Sequence, residues 1–127
     1  MPQQRRPLSK SEMEVARIVW VLKDASVRQV HEALSKERKV DFKTVQTYLR
    51  RLESKGYLRT KLQGKNKVYS SRVSPSRVIR QTVEDFVARL FAGETLPLFQ
   101  HLIHERGLSA EEIQKLREML NKLKEEK

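Results

Sequence analysis

Residues 41–55 carry polar side chains of the kinds that can bind the base edges and phosphates of a nucleic acid duplex. Drawn as an α-helix, the segment places Val45, Leu49 and Leu52, together with Tyr48, on one face and its polar residues on the other. Arg and Lys can donate to guanine O6 and N7, Gln can pair with adenine N6 and N7, and a Thr methyl group can contact thymine. The polar residues concerned are Lys43, Thr44, Gln46, Thr47, Arg50 and Arg51.

The position of these residues along the helix divides them into two roles. Residues near the amino end, from Lys43 to Thr47, are best placed for base edges, whereas Arg50 and Arg51 are better placed for phosphates. An ordinary solvated helix face is the alternative. It is less favoured because solvated faces usually carry charges of both signs, and this face has no carboxylate before Glu53.

A second group of cations lies in a predicted β-hairpin and near the start of an earlier helix. Gln63-Gly64-Lys65-Asn66 separates two strand-like segments, 57–62 and 67–73, and contains the Gly and Asn that a hairpin loop needs for positive φ. Cations on a loop tip suit phosphate or minor-groove contact. The candidate phosphate contacts are Arg28, Lys61, Lys65 and Lys67.

Three short amphipathic helices precede the hairpin. A capping box, in which a Ser and a Glu or Gln three residues later satisfy each other's backbone N–H groups, predicts helix starts at Ser9 and Ser26. Asp41 is predicted to cap the third helix, which ends at Lys55-Gly56. Three helices and a basic hairpin in this order form a winged helix-turn-helix, whose recognition helix lies in the major groove.

The excess positive charge is confined to the first part of the chain. Residues 1–73 hold 18 basic and 7 acidic residues, whereas residues 74–127 hold 9 of each, so the formal net charge of +11 belongs to the first part. Clustered cations favour a polyanionic partner, either a nucleic acid or an anionic membrane surface, and a basic face that maintains solubility is the alternative.

The second part, which follows a turn at Ser74-Pro75-Ser76, contains three predicted helices and no strand pattern. The second of these helices is predicted to end at Gly107, and a capping box of Ser109 and Glu112 predicts the start of the third. Short helices alone bury little surface, so we expect them to pair with a second chain, although a monomeric three-helix cap is the alternative. The residues expected in the dimer interface are Phe86, Leu90, Phe91, Leu102, Ile113, Leu116, Leu120 and Leu123.

The predicted fold class is therefore mainly α, a winged helix-turn-helix of three helices and a β-hairpin wing followed by an all-helical dimerisation domain. Arg5 and Arg6 either contact phosphates or belong to a merely soluble tail. The predicted domains are a disordered basic arm over residues 1–8, a winged-helix domain over 9–73 and a helical dimerisation domain over 74–127.

The sequence gives little support for enzymatic, cofactor or metal chemistry. The chain of 127 residues has no Cys, which excludes disulfides, thiolate metal clusters and cysteine nucleophiles. It has no Gly-rich phosphate loop and no hydrolase motif, so we predict no enzyme and no cofactor. His101 and His104 beside Glu105 are the minimum of a metal site, a pattern that often arises by chance, and no metal is predicted. Without a membrane-spanning apolar run or a secretory signal, a cytoplasmic location is expected.

The sequence resembles the penicillinase-repressor family, which includes the beta-lactamase, methicillin-resistance and copper-operon repressors. The resemblance extends from LSKSEMEVARIVW through KTVQTYLRRLESKGYLRTKLQGKNKVYSSRVS to FVARLFAGETLPLFQHLIHERGLSAEEIQKLREMLNKL. It implies an amino-terminal winged-helix domain with Lys43, Thr44, Gln46 and Thr47 on the recognition helix and residues 65–67 in the wing. It also implies a carboxy-terminal dimerisation domain and repression of transcription at palindromic operators.

The resemblance also raises the question of how DNA is released. In antibiotic-responsive members, a membrane sensor protease system leads to cleavage of an Asn-Phe bond in the dimerisation domain, and the corresponding residues here are His101 and Leu102. Copper-responsive members sense metal through cysteine pairs that this chain does not have. Two other functions stay open: a regulator gated by a small ligand, and a winged-helix protein-interaction module without DNA function.

Overall fold

The computed structural model describes residues 5–126 and divides into two compact units, one ending at Thr82 and the other beginning at Val83. Its elements are α1 (Lys10–Leu22), β1 (Ala25–Ser26), α2 (Val27–Ser35), α3 (Phe42–Ser54), β2 (Leu58–Gln63), β3 (Asn66–Ser71), α4 (Pro75–Leu90), α5 (Leu96–His101), a π-helical turn (Leu102–Arg106) and α6 (Ala110–Glu126). The predicted fold class is confirmed, since three helices and a hairpin precede further helices. The domain boundary predicted at residue 74 stays a prediction.

The core of the first unit is built from the apolar stripe of each helix and from the inner face of the sheet. Both predicted capping boxes form: the Ser9 hydroxyl accepts from the Glu12 N–H and the Ser26 hydroxyl from the Gln29 N–H, each at 3.2 Å. The capping boxes thus fix the start of α1 and of α2, ahead of the buried apolar residues of each helix. The fully buried members of this core include Val15, Val19, Val30, Leu34, Val45, Leu49 and Leu52.

The start of α3 differs in one respect from the prediction. Asp41 occupies the N-cap position, but its side chain makes no capping hydrogen bond. Instead, His31 of α2 holds the preceding turn, because its Nε2 lies 2.9 Å from the Val40 carbonyl oxygen and its ring meets the edge of Phe42 at a centroid distance of 5.6 Å. With Nε2 protonated, the imidazole donates to that carbonyl.

The sheet has three antiparallel strands in the order β1-β3-β2. The predicted hairpin forms, but its turn is shorter than predicted, because Gln63 pairs with Asn66 and only Gly64 and Lys65 form the turn. Gly64 supplies the positive φ of 64° that this tight turn requires, whereas Asn66 is part of β3. The short strand β1, which pairs Ala25 with Tyr69, was not predicted.

The amino-terminal segment 5–8, part of the predicted basic arm, is hydrogen-bonded to residues that follow α3. Arg5 Nε donates to the Gly56 carbonyl at 2.9 Å, and the Tyr57 hydroxyl donates to the Arg6 carbonyl at 2.7 Å. Leu8 is buried in the core. Residues 1–4 of the predicted arm lie outside the described residues.

The second unit is helical, and the capping box that begins α6 forms between Ser109 and Glu112. The helix predicted to end at Gly107 is composite, since α5 ends at His101 and a π-helical turn follows. Of the described residues from Val83 onward, Val87 alone is buried. No helix within residues 5–126 combines the length and apolar character needed to cross a membrane.

Candidate nucleic-acid interface

The outer face of α3 carries the residues predicted to contact DNA. Its inner residues Val45, Leu49 and Leu52 are fully buried, and this burial fixes the rotation of the helix about its axis. The predicted contacts are therefore at the surface: Lys43, Thr47, Arg50 and Arg51 are exposed, and Thr44 and Gln46 are half-buried.

Positive charge on this face is not neutralised within the described chain. Glu53, the only acidic residue of α3, accepts a hydrogen bond of 2.9 Å from the Thr60 hydroxyl, which also ties α3 to β2. The Arg51 guanidinium lies 5.9 Å from the centre of the Tyr48 ring, a cation–π distance. Within residues 5–126, no ion pair involves any of the predicted cationic contacts, which are Arg28, Lys43, Arg50, Arg51, Lys61, Lys65 and Lys67.

The two threonines of the face differ in the hydrogen bonding of their hydroxyl groups. Thr47 Oγ1 donates to the Lys43 carbonyl at 3.0 Å, one turn earlier in the helix. The hydroxyl of Thr44 has no hydrogen-bond partner among residues 5–126. Three residues apart on a helix, the two side chains are neighbours on one surface.

The wing distributes its cations over both faces and the tip. Lys61 lies opposite Val68, whereas Lys67 lies opposite Leu62. Since side chains alternate along a strand, Lys61 and Lys67 are on opposite faces of the hairpin, and Lys65 is in the turn. The structure therefore does not place the three lysines on one surface, although all are exposed.

A part-buried ion pair between Lys55 and Glu12 was not predicted from the sequence. Lys55 Nζ lies 2.6 Å from Glu12 Oε1, and it also donates to the Pro7 carbonyl at 3.0 Å. Burial raises the pKa of the Glu12 carboxyl, but hydrogen bonds from Lys55 and Ser9 and the charge of Lys55 outweigh burial and hold that pKa below the ordinary value. The pairing joins residues distant in sequence, so only the local capping box could be found from spacing.

Tyr69 lies where the wing meets α3. Its pKa is raised because its hydroxyl is buried and because the negative charge of Glu53 disfavours ionisation, while Arg50 acts in the opposite direction. The phenol therefore stays neutral at ordinary pH.

The candidates in the second unit are at the surface of the single chain. Phe91 is half-buried and meets the edge of the Phe86 ring at a centroid distance of 5.9 Å. The other residues predicted for the dimer interface are all exposed, namely Phe86, Leu90, Leu102, Ile113, Leu116, Leu120 and Leu123.

The peptide bond between His101 and Leu102 is in helical conformation. His101 has φ −62° and ψ −46°, and Leu102 has φ −62° and ψ −40°. The Leu102 N–H donates to the carbonyls of Leu98 and Phe99. In the part of the chain that the structure describes, no group of three or more His, Asp or Glu side chains could hold a metal ion.

Known proteins resemble this chain over nearly its whole length. The methicillin resistance regulatory protein MecI of Mammaliicoccus sciuri is 32% identical over 115 residues, which cover 91% of this chain and 94% of MecI. The penicillinase repressor of Bacillus licheniformis is 30% identical over 120 residues, 94% of each chain.

A solved structure matches more than half of this chain. The monomeric form of Bacillus licheniformis BlaI, determined in complex with the blaP half-operator, is 32% identical with a TM-score of 0.51, and the match covers 57% of this chain and 89% of that one. The family described as penicillinase repressor matches residues 8–122. The chain therefore belongs to the penicillinase repressor family, a family of transcriptional repressors and not of enzymes.

Proposed function

We propose that this protein is a dimeric, sequence-specific DNA-binding repressor that acts at a palindromic operator, with α3 of each copy in a major groove. The observation that carries this proposal is the exposed outer face of α3, whose cations have no ionic partner within residues 5–126. The turn held by His31 and the bond from Thr60 to Glu53 fix the helix for docking.

The relatives support the DNA partner. BlaI, whose structure was solved on a half-operator, shares 32% of its sequence with the matched part of this chain. In our proposal, Lys43, Thr44, Gln46 and Thr47 contact base edges. Arg28, Arg50, Arg51, Lys61, Lys65 and Lys67 contact phosphates.

The exposed apolar residues of the second unit support the dimer. Leu120 is 63% exposed and Phe86 48% exposed in the single chain, and exposed apolar residues in such number mark an interaction surface. A second copy of the same chain covers both surfaces at once through a two-fold axis, and this symmetry leads to an inverted-repeat operator.

The proposal does not include release by proteolysis at His101-Leu102. Proteases bind their substrates in extended form, and this bond has helical dihedral angles. Cleavage by a membrane sensor protease system would therefore require α5 and the π-helical turn to unfold locally.

The test of the proposal is a change of three side chains on the outer face of α3. A pool of duplexes with a randomised centre is first enriched for binding by the full-length protein, and fluorescence anisotropy then measures affinity for the enriched palindrome. Replacing Lys43, Gln46 and Arg50 together by Ala should weaken binding about a hundredfold or more, because two base contacts of about 1–3 kcal/mol each and one phosphate contact are lost.

A matched control replaces the same residue types on α6. Gln114, Lys115 and Arg117 are exposed, and their joint replacement by Ala should leave affinity within about threefold. An unchanged affinity of the α3 variant would refute the recognition face. If the unaltered protein binds no duplex even at low salt, the protein-interaction function is favoured, and if a small ligand releases DNA, a gated regulator is favoured.

A further inference from the structure

Thr44 and Thr47 have the same side chain but offer different chemical groups to a ligand. The hydroxyl proton of Thr47 is already donated to the Lys43 carbonyl at 3.0 Å. Reorienting that hydroxyl toward a base would break an existing hydrogen bond, whereas the Thr44 hydroxyl has no partner to lose among residues 5–126.

The hydrogen bond of Thr47 also limits what its side chain can offer to a base. Because its proton is donated to a backbone carbonyl at 3.0 Å, the hydroxyl cannot donate to an acceptor such as thymine O4, and the side-chain methyl group stays available for apolar contact. Thr47 is exposed, and it lies three residues from Thr44 on the same surface. The major groove presents one matching apolar group, the C5-methyl of thymine.

We infer that Thr47 recognises the C5-methyl group of a thymine by apolar contact, whereas Thr44 recognises a neighbouring base edge or phosphate by a hydrogen bond. This inference rests on the proposed function, because it assigns the specificity of two residues within the same face. It predicts that each operator half-site contains a thymine opposite the second turn of α3.

The inference predicts opposite responses to the same two substitutions. Val keeps the shape of Thr and replaces its hydroxyl by a methyl, and Ser keeps the hydroxyl and removes the methyl. At position 47, Thr47→Val should retain affinity within about twofold and Thr47→Ser should lose about fourfold, the effect of one buried methyl. At position 44, Thr44→Val should lose about fivefold and Thr44→Ser should change affinity less than twofold.

The DNA offers a second measurement, which begins with the unaltered protein on altered duplexes. In the duplex enriched from the randomised pool, each thymine of one half-site is replaced in turn by deoxyuridine, which lacks only the C5-methyl group. One replacement should weaken binding of the unaltered protein about fourfold. The same replacement should have no effect on Thr47→Ser, because the contact is already lost, and its full effect on Thr47→Val.

Two outcomes would overturn the inference. One is that no thymine-to-deoxyuridine replacement weakens binding, although the duplex is bound far more tightly than a shuffled one. The other is that Thr47→Val and Thr44→Val are equally costly. Failure of the proposed function gives a different result from failure of this inference. In that case no duplex is enriched from the pool, and any selected duplex binds no more tightly than its shuffled counterpart. Thermal unfolding followed by circular dichroism shows that each variant is folded.

Discussion

Two single residues, Glu12 and Lys55, form an ion pair that links α1, the end of α3 and the amino-terminal segment. Glu12 has 2% of its side chain exposed and caps the start of α1, while Lys55 has 16% exposed and follows the end of α3. Lys55 also donates to the Pro7 carbonyl of the amino-terminal segment. A buried charge that loses its partner is costly, so the pair makes the three segments interdependent.

The lowered pKa of Glu12 predicts a loss of stability in acid. A carboxyl whose pKa is lower in the folded than in the unfolded state stabilises the fold above its unfolded pKa, and this contribution is lost as pH falls through the folded pKa. Glu12→Gln should lower the free energy of unfolding at pH 7 by about 1–3 kcal/mol. It should also reduce the further loss that the unaltered protein shows below about pH 5, measured by urea denaturation.

Glu14→Gln is the control for this prediction. Glu14 belongs to the same helix, and its bond to Arg38 is 2.9 Å long but exposed to solvent. Its removal should cost less than about 1 kcal/mol. A Glu12→Gln variant with the full acid dependence of the unaltered protein would contradict the role given to Glu12.

At the level of elements, the sequence predicted those features that depend on local spacing. Apolar stripes and the Ser9, Ser26 and Ser109 capping boxes predicted the helices, and the Gly64 turn predicted the hairpin. β1 has two residues and exists through pairing with β3, so no periodicity could indicate it. The hydrogen bonds of segment 5–8 likewise join it to partners about 50 residues away in sequence.

The sequence could predict which residues lie on the outer face of α3, but not which hydrogen bonds their side chains make. Helical spacing identified which side chains are exposed, because the buried stripe determines the rotation of the helix. The bond from Thr47 to Lys43 and the tie from Thr60 to Glu53 require atomic positions. The register that separates Lys61 from Lys67 also depends on how two strands pair.

The wing is predicted to bind phosphate without contributing to sequence preference. Lys65 is at the tip of the hairpin, exposed and without an ionic partner in residues 5–126. Lys65→Gln should weaken binding to specific and shuffled duplexes by the same factor, and it should reduce the slope of log affinity against log salt by about 0.9, which corresponds to one phosphate contact. Anisotropy titrations at several salt concentrations measure both quantities.

Lys124→Gln is the matched control, because it removes the same charge from α6. Its salt slope should equal that of the unaltered protein. If Lys65→Gln weakens only the specific duplex, the wing contributes to base recognition and the phosphate assignment is wrong.

At the level of the whole molecule, the two units differ in how they bury their apolar residues. The first has a contiguous core formed by three helices and the sheet, whereas Val87 is the only buried residue described from Val83 onward. A sequence stripe predicts that α6 has an apolar face, but it does not identify what covers that face. Leu116, Leu120 and Leu123 are exposed in the single chain, and this exposure supports the packing of a second chain against that face.

Leu120→Lys should weaken the dimer that we propose. Burying a Leu side chain contributes about 1.5–3 kcal/mol, and a symmetric dimer loses this contribution from both copies, so the dissociation constant should rise about a hundredfold or more. Gln114→Lys adds the same charge to the opposite face of α6 and should leave the dimer intact. Sedimentation velocity over a range of concentrations measures the monomer fraction. Because a dimer binds two half-sites as one event, Leu120→Lys should also weaken binding to the full palindrome far more than binding to an isolated half-site. A Leu120→Lys variant that sediments like the unaltered protein would show that α6 does not form the interface.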